Sequence, residues 1–222
     1  MKFFRSSIVA LLALFSLMGA GAVERPVIDL NSIKVDVTMS PSKYRELLNR
    51  LIDGDSTLTI NEMATVYYGY ASTYDYNPSL SYEEIHEAFD LPDYSKVYRL
   101  AIAALDRDPL SVDLTAMALV AAEREPGDEA ARMKERLQQR YNKLVELILL
   151  SGRGTVPESP FIVISESDLQ AILRYVLYIN EVVERGYFGS YDVVRAKYPQ
   201  GDRDIVLFFN NPYQTVYEAE NQ

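Results

Sequence analysis

Cysteine and tryptophan are absent from this chain of 222 residues, and histidine occurs once, as His86. Without thiols there is no disulfide framework, no cysteine nucleophile and no thiolate metal site, so stability has to come from an ordinary packed core. A lone histidine removes further chemistry. In the run Ile85 to Phe89 no second histidine follows one turn later, so there is no zincin pair, and no G-x-S-x-G elbow exists for His86 to serve as base. GRGT at 152–155 lacks the Gly-Lys-Ser/Thr ending of a phosphate loop and reads as a helix end followed by a turn. Positive charge is also scarce. Lys and Arg total 22 against 32 Asp and Glu, a formal charge of −10, which disfavours nucleic acid and anionic membrane surfaces as partners. No catalytic constellation emerges, and neither a cofactor nor a metal is expected.

One long apolar run is present, at the start. Lys2 and Arg5 precede an uninterrupted apolar or small-residue stretch from Ile8 to Met18, and Ala20 and Ala22 form a small-x-small pattern. This is the layout of a cleavable secretory leader over residues 1–22, with the cut before Val23. The apolar stretch is too short for a membrane-spanning helix, which needs about 20 residues. No cysteine follows it to carry a lipid. The expected product is periplasmic or secreted, with no stable membrane insertion after cleavage.

Local signals then predict an α+β fold in one domain, 23–222, made of stacked antiparallel helical hairpins followed by a small antiparallel sheet. Residues 23–39 alternate through Val27, Ile28, Leu30, Ile33, Val35 and Val37 and read as an extended lead-in. Helices are expected through 40–150. Ser40-Pro41 starts one that ends at Asp53-Gly54-Asp55, Thr59 to Glu62 is a capping box opening the next, and Ser81 to Glu84 has the same form. Asp93 caps another, residues 111–124 carry a further one, and Asp128 caps the longest, whose apolar stripe is Met133, Leu137, Tyr141, Leu144 and Ile148. Over 151–222 the texture becomes mixed. Phe161 to Ser165 is β-rich, 168–185 fits helix and strand alike, and Tyr191 to Tyr198 with Asp204 to Phe209 form a hairpin around 199–202.

Two stretches carry a family likeness. DSTLTINE at 55–62, followed by VYYGY at 66–70 and YNP at 76–78, is the first; GRGTVPE at 152–158 leading into FIVIS at 161–165 is the second. Together they resemble the bacterial domain of unknown function family numbered 4919, whose members are typically secreted and of this length. The resemblance implies secretion and compactness and brings no activity or catalytic residue. Arg153 stands where an acidic residue would be expected, which argues against a cation-binding loop.

Asp53, Asp55, Thr57, Thr59 and Asn61 fall at positions 1, 3, 5, 7 and 9 of a calcium loop. Leu58 replaces its turn glycine, however, and Ala64 its bidentate glutamate, so a turn and a capping box account for these residues better. With 32 acidic residues, some carboxylate pair will always lie at glycosidase distance, and a carboxylate-dependent periplasmic hydrolase stays open as the alternative function. The unusual presence is tyrosine, 17 in all, with Tyr67, Tyr68, Tyr70, Tyr74, Tyr76 and Tyr82 crowded together. Adjacent helical residues point about 100° apart, so not all can face one core. Tyr67 and Tyr70 read as core. Tyr68, Tyr74 and Tyr76 are the candidate binding residues of a non-catalytic module that holds a peptide, protein or glycan of the cell envelope. The leader makes one direct prediction: intact-mass analysis of the exported protein should give Val23 as the first residue, and a mass still including residues 1–22 would refute it.

Overall fold

A computed structural model describes residues 28–179, 181–198 and 203–213. The expected leader at 1–22, the expected hairpin connection at 199–202 and residues 214–222 lie outside the described residues. Seven helices come first: α1 (Leu30–Met39), α2 (Pro41–Ile52), α3 (Ile60–Tyr70), α4 (Glu83–Asp90), α5 (Tyr94–Leu105), α6 (Val112–Ala122) and α7 (Asp128–Ser151). Then follow β1 (Phe161–Ile162), α8 (Glu166–Ala171) continued by a π-helical turn over Ile172–Val176, and the strands β2 (Val182–Phe188), β3 (Tyr191–Lys197) and β4 (Asp204–Asn210). The α+β layout is the one the sequence patterns imply. No helix among the described residues is long and apolar enough to cross a membrane.

Several starts follow directly from side-chain chemistry. Thr59 accepts from the Glu62 amide while the Glu62 carboxylate accepts from the Thr59 amide, the reciprocal box expected there. Asp93 caps α5 through the Lys96 amide, and Ser111 caps α6 through the Leu114 amide. Other expectations fail in instructive ways. The stretch placed in an extended lead-in is instead helix α1, because Asp29 accepts from the amides of Asn31 and Ser32 and fixes a first turn. Ile33 and Val37 then lie four apart on its buried face, a spacing that alternation had disguised. The box at Ser81 does not form. Tyr82 is the N-cap residue of α4, with no side-chain cap bond, because its ring is buried and its hydroxyl donates to Asp108. Ser40 precedes Pro41 without a side-chain cap bond, and Gly127 rather than Asp128 is the N-cap of α7.

At the centre lies α6. Every residue of Val112–Ala122 is buried, so this helix has no polar face and must be enclosed on all sides. It packs against α5, α7 and α8. Farther out, α1 and α2 pack on α3, where Gly69 permits a close crossing: a Cβ there would come within 2.5 Å of the Val37 Cγ2.

The sheet has the order β1-β4-β3-β2 and is mixed. β2, β3 and β4 are antiparallel, as expected, but β1 pairs parallel to β4, with Phe161 opposite Phe209. The ambiguous stretch 168–185 resolves into both alternatives, first helical, then strand. β4 alternates cleanly, with Leu207 and Phe209 buried and Val206 exposed. The loop 152–159 joins the helices to this sheet. The amides of Arg153 and Gly154 donate to the Ser159 carbonyl, and the Phe208 amide donates to the Gly154 carbonyl at 2.8 Å. Gly154 has φ +69°, and a Cβ on it would sit 2.0 Å from the buried Phe161 ring. Gly154→Ala should therefore lower unfolding free energy by at least about 2 kcal/mol, through left-handed strain and displacement of Phe161. Urea denaturation measures this, and a loss below about 0.5 kcal/mol would contradict it.

Candidate functional site

The tyrosines of α3 are anchored from inside. Tyr67 and Tyr68 are fully buried and Tyr70 nearly so. The Tyr67 hydroxyl donates to Asp168 Oδ2 at 2.7 Å and accepts from the Ile164 amide at 3.3 Å. Tyr68 donates to the Ile162 carbonyl and Tyr76 to the Ile164 carbonyl. Three phenols thus bond into the strand-like segment 161–165. Of the three candidate binding residues, Tyr68 is enclosed, Tyr76 is half-buried with its hydroxyl turned inward, and Tyr74 is fully exposed. The fold does not bring them onto one surface.

Around the N-terminus of α6 are three acidic groups in poor contact with water. Asp168 accepts from the Val112 amide at 2.8 Å, and its burial pushes the carboxyl up to about 7. Asp108 accepts from Tyr82 and is pushed up to about 6, again by burial. Asp113 lies 2.9 Å from His86 Nε2, and this bond raises the histidine above its ordinary value, against partial desolvation. His86, the lone histidine, is half-buried with this specific partner. Asp168 was missed. Its signal was the Ser-x-x-Asp pattern at 165–168, where the Ser165 hydroxyl caps the Asp168 amide of α8. Asp168 thus holds α3, α6 and α8 together, while Asp108 and Asp113 tie the start of α4 and its His86 to the α6 end of the core.

In the 53–64 loop, Arg50 supplies the positive charge. Its Nε donates to Asp55 at 2.8 Å and its Nη1 to Glu62 at 3.1 Å. Bonds from Thr57 and then Arg50 hold the Asp55 carboxyl at about 2, and the Thr59 bonds lower Glu62.

A cleft of about 660 Å³ opens elsewhere, among α2, α5, α7 and the loops after α3 and α5. Leu48, Ile52, Leu80, Ile102, Met133 and Leu137 give it apolar walls, with Asp75, Asn77, Asp106, Arg107, Arg136 and Arg140 as polar members. Arg140 is 5% exposed. Its guanidinium donates to the carbonyls of Ile52 at 3.0 Å and Pro109 at 3.4 Å, while its Nε is buried without a hydrogen-bond partner. Burial lowers it to about 10, opposed by the more distant charges of Asp53 and Asp106. Sequence reasoning passed over Arg140, yet it lies three residues after Leu137 and four before Leu144, on the apolar face of α7.

A family model described as Domain of unknown function (DUF4919) matches residues 31–214. The chain belongs to this family. No curated protein and no solved structure matches it.

The buried acids fix a pH dependence. Asp108 and Asp168 stay protonated in the folded protein at pH values where the unfolded chain has already released those protons. Their stabilisation is complete below about pH 4 and is lost as pH rises through 6 and 7. His86, raised by Asp113, adds stability below about pH 6.5 that is lost above its folded value. Asp55 and Glu62 act oppositely, losing stability only as pH falls below about 4. The melting temperature should therefore be highest near pH 4 and lower by more than about 3 °C at pH 8, where about 1 kcal/mol corresponds to about 2–4 °C. A melting temperature that climbs steadily from pH 5 to pH 8 would refute this.

Proposed function

We propose that this protein is a non-catalytic binding module of the cell envelope, and that the cleft between α2 and α7 is where it holds its ligand. The cleft with the buried Arg140 carries the reading. Its volume falls in the range of small-molecule sites, about 300–1,000 Å³, and it combines apolar walls with a few convergent polar groups. The leader-like segment at 1–22 supports an envelope location. The carboxylate-hydrolase alternative draws less support. Asp108 and Asp168, the acids whose pKa values are raised, are not among the residues lining the cleft and serve as hydrogen-bond acceptors inside the fold.

The test is a fragment screen followed by amide NMR mapping. Binders should shift Leu80, Ile102 and Met133, and Leu80→Trp, which places a larger ring in the cleft, should weaken them at least tenfold while the protein stays folded. If fragments bind but perturb only residues away from the cleft, or if Leu80→Trp binds as the wild type does, the assignment fails.

A further inference from the structure

A guanidinium carries five N–H donors and a charge that proteins seldom bury unpaired. Arg140 spends one donor on each of two carbonyls, Ile52 at the end of α2 and Pro109 before α6. Those bonds explain why the side chain is held in place, but carbonyls do not neutralise it. No carboxylate among the described residues lies within ion-pairing distance of it, and its Nε is buried with no partner. Asp53, whose charge acts on Arg140 from farther off, instead stands 4.0 Å from Arg136 Nη1.

The charge around it is the second observation. On a chain of formal charge −10, the cleft is lined by three arginines, Arg107, Arg136 and Arg140, against two aspartates, Asp75 and Asp106. Among these lining charges one positive is in excess; Arg136 has Asp53 outside the lining as its partner, whereas the buried guanidinium of Arg140 has no carboxylate at ion-pairing distance among the described residues. A monoanion balances it, whereas a polyanion would meet Asp75 and Asp106 as repulsion. The third observation is the apolar lining, with Ile52, Leu80, Ile102 and Met133 beside the charged end. An apolar tail would remove this surface from water while the head met the guanidinium.

From these we infer that Arg140 is the anion receptor of the cleft, and that the ligand is a monocarboxylate carrying a short apolar tail, held head-first towards the guanidinium. The inference rests on the cleft being the ligand site. A medium-chain fatty acid and the carboxyl end of an apolar peptide share this chemistry. Both present a planar carboxylate that can accept two N–H donors from one arginine.

The experiment is titration calorimetry at pH 7 on the full mature chain, with four probes: octanoate, octanamide, acetyl-Ala-Leu and acetyl-Ala-Leu-amide. At least one acid should bind at least tenfold more tightly than its own amide, and which acid does so identifies the source. Arg140→Met should abolish that acid-over-amide preference. Because Arg140 also ties α2 to the α6 entry, this variant can unfold; the acid–amide comparison on the wild-type chain stands without it. Equal binding of acid and amide within the cleft, or no binding of either acid at 10 mM while other fragments occupy the cleft, overturns the role of Arg140 and leaves the cleft itself in place. Acid binding that Leu80→Trp does not weaken overturns the cleft assignment and the inference together.

Discussion

The contact on which this fold most depends is the buried exchange between Tyr67, Asp168 and the first amide of α6. α6 is enclosed on all sides, so its unsatisfied N-terminal donors cannot turn to water. Asp168 takes the Val112 amide, and Tyr67 takes the other carboxylate oxygen while receiving the Ile164 amide. Four separate elements, α3, α6, the segment after β1 and α8, are thereby joined through two side chains. Burying a carboxylate is costly, and here the molecule offsets the cost partly by hydrogen bonds and partly by holding the proton up to about pH 7.

The same logic accounts for the tyrosine content. A phenylalanine would fill the positions of Tyr67, Tyr68 and Tyr76 equally well, yet the backbone they face, from Phe161 to Ile164, is only briefly paired in the sheet. β1 is two residues long. The phenols supply the hydrogen-bond partners that a longer strand would have found in its neighbours. Aromatic contacts add to this, with Tyr67 on Tyr68 and Tyr76 between Tyr70 and Tyr213.

Helix starts were legible in the sequence at Thr59, Asp93 and Ser111, each a short polar side chain three residues before the amide it caps. α1 was not, because Ile33, Val35 and Val37 satisfy a period of two as readily as Ile33 and Val37 satisfy a turn of helix. The Ser81 box was displaced by Tyr82, whose buried ring sets the entry to α4 more firmly than a surface hydroxyl can. The parallel pairing of β1 depends on a partner nearly fifty residues away, which no local pattern encodes. Placement of the tyrosines was equally hidden, since a phenol suits a core as well as a surface until its hydroxyl partner is known. The cleft escaped for a different reason. Its walls come from three helices and two loops, and Arg140 announced itself only as a charge on an otherwise apolar stripe.

The sheet order also bears on how the molecule comes into being. Among the described residues β4 is the last strand and the only one that touches both β1 and the β2–β3 hairpin. A ribosome delivers the chain from its N-terminus, so β1 emerges long before its partner exists. Until residues 204–210 arrive, β1 has no strand to lie against and the β2–β3 hairpin no sheet to join. Completion of the fold is thus reserved for the end of delivery, and a chain cut short before β4 would leave two open edges able to pair with other copies.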